Sequence, residues 1–258
     1  MVKGGRDRKT FQLANVAWAL DSGAFTELKD HGLWRMDAVE YAELVNRYDY
    51  YIGRLEWVSP QDWMCEPIVI HGGRSKAGLF VGTKLNVETH QYKTVENFLQ
   101  LQELCSVKVI PVLQGYTIDE YFRCIRIYEK FGVDLTEYDT VGLGSVCRRQ
   151  ADDEIAELID EIYQTGINMH AFGVKEGGLI KSIDKLVSAD SLTWSLNAKY
   201  KFTTAKGTCC GRLKKCGNPI KNCANCYHAA MDWADKLAVT LGRTEIYDFD
   251  RSGLFKES

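Results

Sequence analysis

The stretch VAWALDSGAFTEL, residues 16–28, runs from a strand-like apolar half into Asp21-Ser22-Gly23-Ala24-Phe25. A buried strand has no need of an acid at its tip, whereas a site that holds a flat polar ring does. The same kind of ending recurs down the chain. Gln61-Asp62 follows RLEWVSP, Gln114-Gly115 follows VKVIPVL, and Gly142-Leu143-Gly144 closes YDTVGLG. Gly173-Val174-Lys175 closes INMHAFGVK, and Asp190-Ser191 closes LVSAD. Turns favour glycines and amides one at a time, and N-capping of the next helix explains a single Asp. Neither explains the series. Polar groups converging from many strand ends describe the C-terminal face of a parallel sheet, open or closed into a barrel.

Between these runs lie helical patterns. MDAVEYAELVNRYDYYIG ends at Gly53. THQYKTVENFLQLQELC is amphipathic, with Thr89 as the expected N-cap. TIDEYFRCIRIYEKFG is capped by Thr117 and closed by Gly132, and ADDEIAELIDEIYQTG carries acids in its first turn and Gly166 after its end. INMHAFGVK and LVSADSLTWS read as two further strands with a shorter helix between them. This rhythm gives parallel βα units. Six are clear, whereas a full barrel takes eight strands. IVIHGGRSKAGLFVGT, residues 68–83, is a hairpin or an insertion, and EIYDF near the end is short. The expected fold class is α/β: a (β/α)8 TIM-like barrel over residues 1–198, shortened, then a basic Cys-rich subdomain with its helix over 199–242 and a tail over 243–258.

The 258 residues are 45% hydrophobic, enough for one large domain or one domain with a small appendage. No apolar run reaches the length of about eighteen residues that a membrane span requires, and MVKGGRDRKTFQ lacks the apolar core of a signal peptide. Of the nine cysteines, Cys65, Cys105, Cys124 and Cys147 are scattered, while Cys209, Cys210, Cys216, Cys223 and Cys226 cluster. Without a secretion signal the cluster reads as metal-binding, in a reducing cytoplasm. Cys223-x2-Cys226 is a zinc half-site, and Cys216 with Cys210 completes four thiolates; Cys209 or His228 can replace one of them. The net charge of −3 hides an asymmetry. From Ser191 to Met231 there is no Asp or Glu, but there are Lys199, Lys201, Lys206, Arg212, Lys214, Lys215 and Lys221. A basic, Cys-rich segment on an acidic chain points to a polyanion partner.

The ordered set DSGAF, PQDWMCEP, PVLQG, VGLGSV and SADS, followed by a Cys cluster, resembles the tRNA-guanine transglycosylase superfamily. QDWMCEP, VGLGSVCRRQ and NCANC make it most like the DpdA-like branch, which inserts 7-deazaguanines into DNA. The likeness runs from about residue 16 to residue 235. It implies a barrel with a structural zinc subdomain and a base exchange, in which an aspartate attacks C1′ of a guanosine, expels guanine and admits a deazaguanine. It implies Asp190 as nucleophile, Asp21 as acid/base, Phe25 as the ring stacking on the base, Asp62 as reader of the guanine amide edge, and Gln114 at the base oxygen. The backbone of Gly142, Leu143 and Gly144 is implied to recognise the base's side group. Such chemistry asks for these residue types independently: an oxocarbenium-like centre needs one carboxylate to attack it and another to manage the proton.

Arg148 and Arg149, with Lys214 and Lys215, are the expected phosphate contacts. His170 and His90 read as structural histidines, and Trp63 and Trp194 line the mouth or fill the core. The expected partners are guanine-containing DNA, flipped or single-stranded, and a free 7-deazaguanine, most simply 7-cyano-7-deazaguanine. The cysteine spacing departs from the tRNA enzymes, and no dedicated tRNA-binding domain follows it. The competing readings are a tRNA-guanine transglycosylase and a non-catalytic, zinc-stabilised nucleic-acid-binding protein.

Overall fold

The computed structural model describes residues 11–147, 152–191, 193–204 and 226–242. The strands are β1 (Trp18–Leu20), β2 (Leu55–Val58), β3 (Gly73–Ser75), β4 (Gly78–Phe80), β5 (Val112–Leu113), β6 (Val141–Leu143), β7 (Met169–Ala171) and β8 (Leu186–Ala189). The helices are α1 (Ala24–His31), α2 (Ala38–Ile52), α3 (Pro67–His71), α4 (Val87–Leu104), α5 (Ile118–Lys130), α6 (Asp152–Tyr163), α7 (Glu176–Ser182), α8 (Thr193–Thr204) and α9 (Tyr227–Thr240). No described helix is long and apolar enough to cross a membrane.

β5, β6, β7 and β8 form a parallel four-stranded sheet in chain order, and β1 pairs with β2 in parallel. A parallel bridge, Val58 to Val109, joins the two groups: Val58 donates to Lys108 O and Ile110 donates to Val58 O, both at 3.0 Å. Six parallel strands thus follow one another as the six βα units require. Residues 68–83 do not add staves to this wall. Their glycines turn the chain into the antiparallel hairpin β3–β4, off the parallel sheet. The expected eight-stranded closure is therefore not drawn by the hydrogen bonds of the described residues, which give an α/β fold with a parallel sheet.

The sheet is strongly curved. Laid flat, β1 and β8 would stand five strand spacings apart, roughly 24 Å. Yet Asp190, after β8, lies close enough to raise the pKa of Asp21, after β1. Register shows which side is concave. Ala19 pairs with Trp57, while Val112, Gly142, His170 and Ser188 form one row across β5 to β8. The Trp57 ring meets His170 at 5.0 Å and Phe172 at 6.2 Å, filling the concave face. The alternate residues, among them Leu55, Val58, Leu113, Val141, Leu143, Met169 and Ala171, face the helices and join the main core with Tyr41, Phe98, Tyr121, Tyr128 and Ile159. Strand periodicity sorts the two layers on β5, β6 and β7, while on β2 the register shift opposite Trp18 and Ala19 lets Leu55 and Val58, three residues apart, both join the core.

Helix ends follow local chemistry. Thr117 caps α5 in a reciprocal capping box with Glu120, as expected, and Asp37 does the same for α2 with Glu40. α4 begins three residues earlier than expected. Asn86, not Thr89, is its N-cap, and the Asn86 side chain accepts from the Thr89 N–H at 2.7 Å. LVSADSLTWS is also not one strand: β8 stops at Ala189, the Ser191 hydroxyl accepts from the Thr193 N–H, and α8 begins.

Gly142 is the one residue of the inner row with no side chain, and the Phe172 ring occupies the space. A Cβ at Gly142 would stand 2.4 Å from Phe172 Cε2 and 2.9 Å from Val112 Cγ2. Gly142→Ala is expected to lose about 1–3 kcal/mol of stability through overpacking, read as a fall in the urea midpoint with an unchanged slope.

Candidate active site

The loop after β2 folds over the ends of β1, β5 and β6 and is tied down along its length. Ser59 N–H donates to Leu20 O (3.0 Å), and Ser59 Oγ accepts from Ser22 N–H (2.8 Å). The Gln61 and Trp63 N–H groups donate to side chains of α4, Asn97 Oδ1 (2.8 Å) and Thr94 Oγ1 (2.9 Å). His90 bonds Met64 O through Nδ1 and Thr83 Oγ1 through Nε2, both at 2.7 Å, so it is a structural histidine as expected.

This loop presents Asp62, a buried acid. Its Oδ1 accepts from Ser22 Oγ (2.8 Å) and its Oδ2 from Gln114 Nε2 (2.5 Å). The other end of the Gln114 amide, Oε1, accepts from Ser145 Oγ (2.6 Å). Gln114 is therefore oriented at both ends. Gly144 makes room for it, since a Cβ there would fall 2.2 Å from Gln114 Nε2. Ser145 is held at φ 57, an uncommon conformation for a residue with a side chain, and such strain collects at functional sites. Burial pushes the Asp62 carboxyl up to about 7, and the negative charge of Asp21 adds to the shift, against the lowering by Ser22. No ion pair reaches Asp62 among the described residues.

Asp21 and Asp190 close the constellation. Asp21 is reachable by solvent yet densely surrounded, as a group on a concave wall is. Burial and then the charge of Asp190 raise its pKa, while the N–H groups of Gly23 and Ser22 lower it. Asp190 is half-exposed, and its Oδ1 accepts from the Gly173 N–H at 2.7 Å. His170 Nε2 lies 3.6 Å from the same oxygen, and His170 Nδ1 is 2.7 Å from Ser188 Oγ. Two carboxyls in unlike environments, one raised toward carrying a proton and one anchored by a backbone donor, form the kind of pair that divides acid/base from nucleophilic work.

A family model described as DpdA, DeoxyPurine in DNA protein A, matches residues 3–251. The chain belongs to the DpdA family. Membership makes it a transglycosylase-type enzyme of deazapurine modification in DNA, with DNA as its substrate. No curated protein matches the chain.

Within this DpdA-family chain the expected site residues divide into three groups. Asp21, Asp62, Gln114 and Asp190 come together at the carboxyl ends of the strands. Phe25 stands one residue into α1, half-buried, with its ring edge-on to Phe80 at 5.8 Å. Gly142, Leu143 and Gly144 border the site, but much of their backbone is committed to the protein. Gly142 N–H donates to Pro111 O, Gly144 N–H to Leu113 O, and Leu143 O and Gly144 O accept from Phe172 N–H and the Tyr121 hydroxyl. Arg148, Arg149, Lys214, Lys215, Cys209, Cys210, Cys216 and Cys223 lie outside the described residues, as does the side chain of His228. Among the described residues no group of three or more His, Cys, Asp or Glu is arranged to hold a metal. Trp63 meets His90 edge-on at 5.4 Å, with Lys93 Nζ over its ring at 4.9 Å.

Sequence reading took His170 for a structural histidine only, and it passed over Trp57 and Ser22. The signal for His170 was present: in Met169-His170-Ala171 the polar residue alternates with two helix-facing apolar ones, so it must point to the concave side.

Asp62 has a consequence for stability. Its folded pKa of about 7 lies above the ordinary 3.8, so between about pH 4 and 7 the folded chain keeps a proton that the unfolded chain has released. Stability is thus lost as pH rises through that window, by up to about 4 kcal/mol from this group. Urea titrations at pH 5 and pH 8 are expected to show this loss in the native chain and a markedly smaller one in Asp62→Ala.

Proposed function

We propose that this chain exchanges guanine in DNA for a 7-deazaguanine, most simply 7-cyano-7-deazaguanine, through a covalent aspartyl-glycosyl intermediate on a (β/α)8-type barrel. The observation that carries this reading is the meeting of Asp190, held by the Gly173 N–H, with the proton-favouring Asp21 beside the buried Asp62. In the first half-reaction an Asp190 oxygen forms a bond to C1′ as the bond from C1′ to N9 breaks. The electron pair leaves with guanine, and Asp21 delivers a proton to it. In the second half, N9 of the incoming deazaguanine attacks C1′ and expels the Asp190 carboxylate, and its proton passes to Asp21. One glycosidic bond replaces another, so no nucleotide cofactor is required.

Asp62 supplies the edge reader. A carboxylate accepts twice, and guanine and its 7-deaza analogues both offer N1–H and the 2-amino group side by side. With both Gln114 termini engaged, its first role is to hold Asp62, and Ser22 holds the other oxygen. The Gly173 N–H holds Asp190 in the same manner, with His170 3.6 Å from the same oxygen. The base reaches these groups only outside the stack, so the target is flipped or single-stranded. The basic stretch from Lys199 to Lys221, with Arg148 and Arg149, would hold the phosphates.

A structural zinc fits the donor chemistry of Cys210, Cys216, Cys223 and Cys226. Cys226, the one of these that is described, is buried at the N-cap of α9, a position that favours a thiolate. The metal would order the basic segment and take no part in the exchange.

Labelled guanine offered with duplex DNA or with tRNA is expected to enter DNA. Asp190→Ala and Asp190→Asn should lower exchange by about three orders of magnitude or more and remove the covalent adduct, with an unchanged unfolding midpoint. A surviving adduct in either variant assigns the nucleophile elsewhere. Elemental analysis of protein purified without chelator is expected to give about one zinc per chain, lost in Cys223→Ser or Cys226→Ser; metal-free protein refutes the zinc site.

A further inference from the structure

The hairpin β3–β4 is absorbed by neither the sheet nor the base pocket, and it is built with unusual firmness for an exposed element. Three glycines lock its root. A Cβ at Gly72 would meet Val81 O at 2.6 Å, one at Gly82 would meet Gly72 N at 2.6 Å, and one at Gly32, the C-cap of α1, would meet Gly82 O at 2.7 Å. All three have φ between 67 and 83, so backbone lies directly on backbone where no other residue fits. Val81 N–H donates to Lys29 O of α1, and Phe80 is buried with Ala24, Leu28, Met64 and Val69. The Phe80 ring also braces Phe25, four residues after Asp21. The hairpin is thus fixed to the helix that begins at the catalytic pocket.

The rest of it faces outward. The tip, Ser75 to Gly78, is exposed, and the cross-strand pair Arg74 and Leu79 is exposed on the face away from Phe80. Leu79 is 61% exposed and Val81 49%. Arg74 and Lys76 make no ion pair with the described residues. A rigid projection with an exposed leucine on its outer face beside the tip and two cations flanking it, mounted beside the ring that would take the flipped base, suits a polyanion whose interior is apolar and stacked.

We propose that this hairpin is a duplex-opening wedge: Leu79 enters the base stack beside the target guanine while Arg74 and Lys76 hold the flanking phosphates. The inference rests on the base-exchange reading and adds to it the means by which a paired guanine leaves the helix. Apolar side chains inserted at a base step are a general way to stabilise unstacked DNA. The charge complements the backbone, and the hairpin is tied to the candidate site by the buried contact of Phe80 with Phe25.

The test uses the full chain and one guanine-containing sequence as single strand, matched duplex, and duplex with an abasic position opposite the target. Leu79→Ala is expected to slow exchange on the matched duplex at least about ten-fold, to leave the single strand unchanged, and to recover on the abasic duplex. Leu79→Phe should retain duplex activity. Arg74→Ala with Lys76→Ala should weaken duplex binding and lower its salt slope by about two. Equal loss on single and double strands, or no loss on the duplex, overturns the wedge. Unstacking is read separately from chemistry by 2-aminopurine at the target position, which should brighten on binding the native chain and not on binding Leu79→Ala. If exchange is absent but this brightening needs Leu79, the wedge stands and the exchange reading falls. If exchange occurs on duplex DNA with no Leu79-dependent brightening, the wedge falls alone.

Discussion

The buried carboxyl of Asp62 is the constraint around which the site is arranged. It has no cationic partner among the described residues, only neutral donors from two strand ends: Ser22 after β1 and Gln114 after β5. Hydrogen bonds to a charged group are worth about 1.5–3 kcal/mol each, and two of them would ordinarily hold a carboxylate ionised. The pKa nevertheless rises to about 7, so desolvation together with the charge of Asp21 outweighs them. Much of the local architecture serves this one group. Gly144 clears space for Gln114, Ser145 adopts a left-handed backbone and turns Gln114, and the loop that presents Asp62 is fastened to α4 at alternate residues. A fold gains nothing in stability from a carboxyl that prefers to be neutral. Under the proposed exchange the cost has a return, because a base with two adjacent N–H donors supplies what the protein withholds.

The acids at the two edges of the curved sheet follow a different logic. Asp21 and Asp190 belong to β1 and β8, the first and last parallel strands, and only curvature brings them together. The inner row of side chains fills the space that curvature leaves. Trp57 from β2 reaches across to His170 on β7, and Phe172 lies over the bare backbone of Gly142. One missing Cβ on β6 lets three rings pack, and those rings support the histidine beside Asp190.

Much of this was legible in the sequence, and the failures have physical reasons. The alternation of β-branched runs with capped amphipathic stretches gave the parallel order, and Thr117 with Glu120 marked α5 correctly because a capping box is a local signal. Thr89 failed as a cap because Asn86, three residues earlier, accepts from the Thr89 N–H itself and so places Thr89 inside the first turn. LVSADSLTWS read as one strand because its apolar residues continue past the turn, where Ser191 redirects the backbone. Asp21, Asp62, Gln114 and Asp190 could be placed at strand ends because each follows an apolar run. His170 was read only as a structural histidine because it stands inside such a run, where only register reveals the side it faces. The committed backbone around Gly144 could not be foreseen either, since its N–H and C=O partners come from Leu113 and Tyr121, far away in sequence.

These features separate two mechanical tasks. Residues that would recognise or react with the base are held by bonds between elements: Asp62 by Ser22 and Gln114, Asp190 by Gly173. Such groups are preorganised and need little movement when a base arrives. The hairpin is firm in another way, fixed at its root by glycine backbone contacts and uncovered at its tip. A pocket reader must match a small planar shape within fractions of an ångström, so it needs neighbours on every side. A wedge must instead enter another molecule, so it needs a stiff base and nothing around its point. Both requirements meet at α1, whose first turn carries Phe25 and whose last turn and C-cap hold the hairpin. That helix starts three residues after Asp21, and it links the acid that would manage the proton to the surface that would open the duplex through the Val81 N–H bond to Lys29 O and the contact of Phe25 with Phe80.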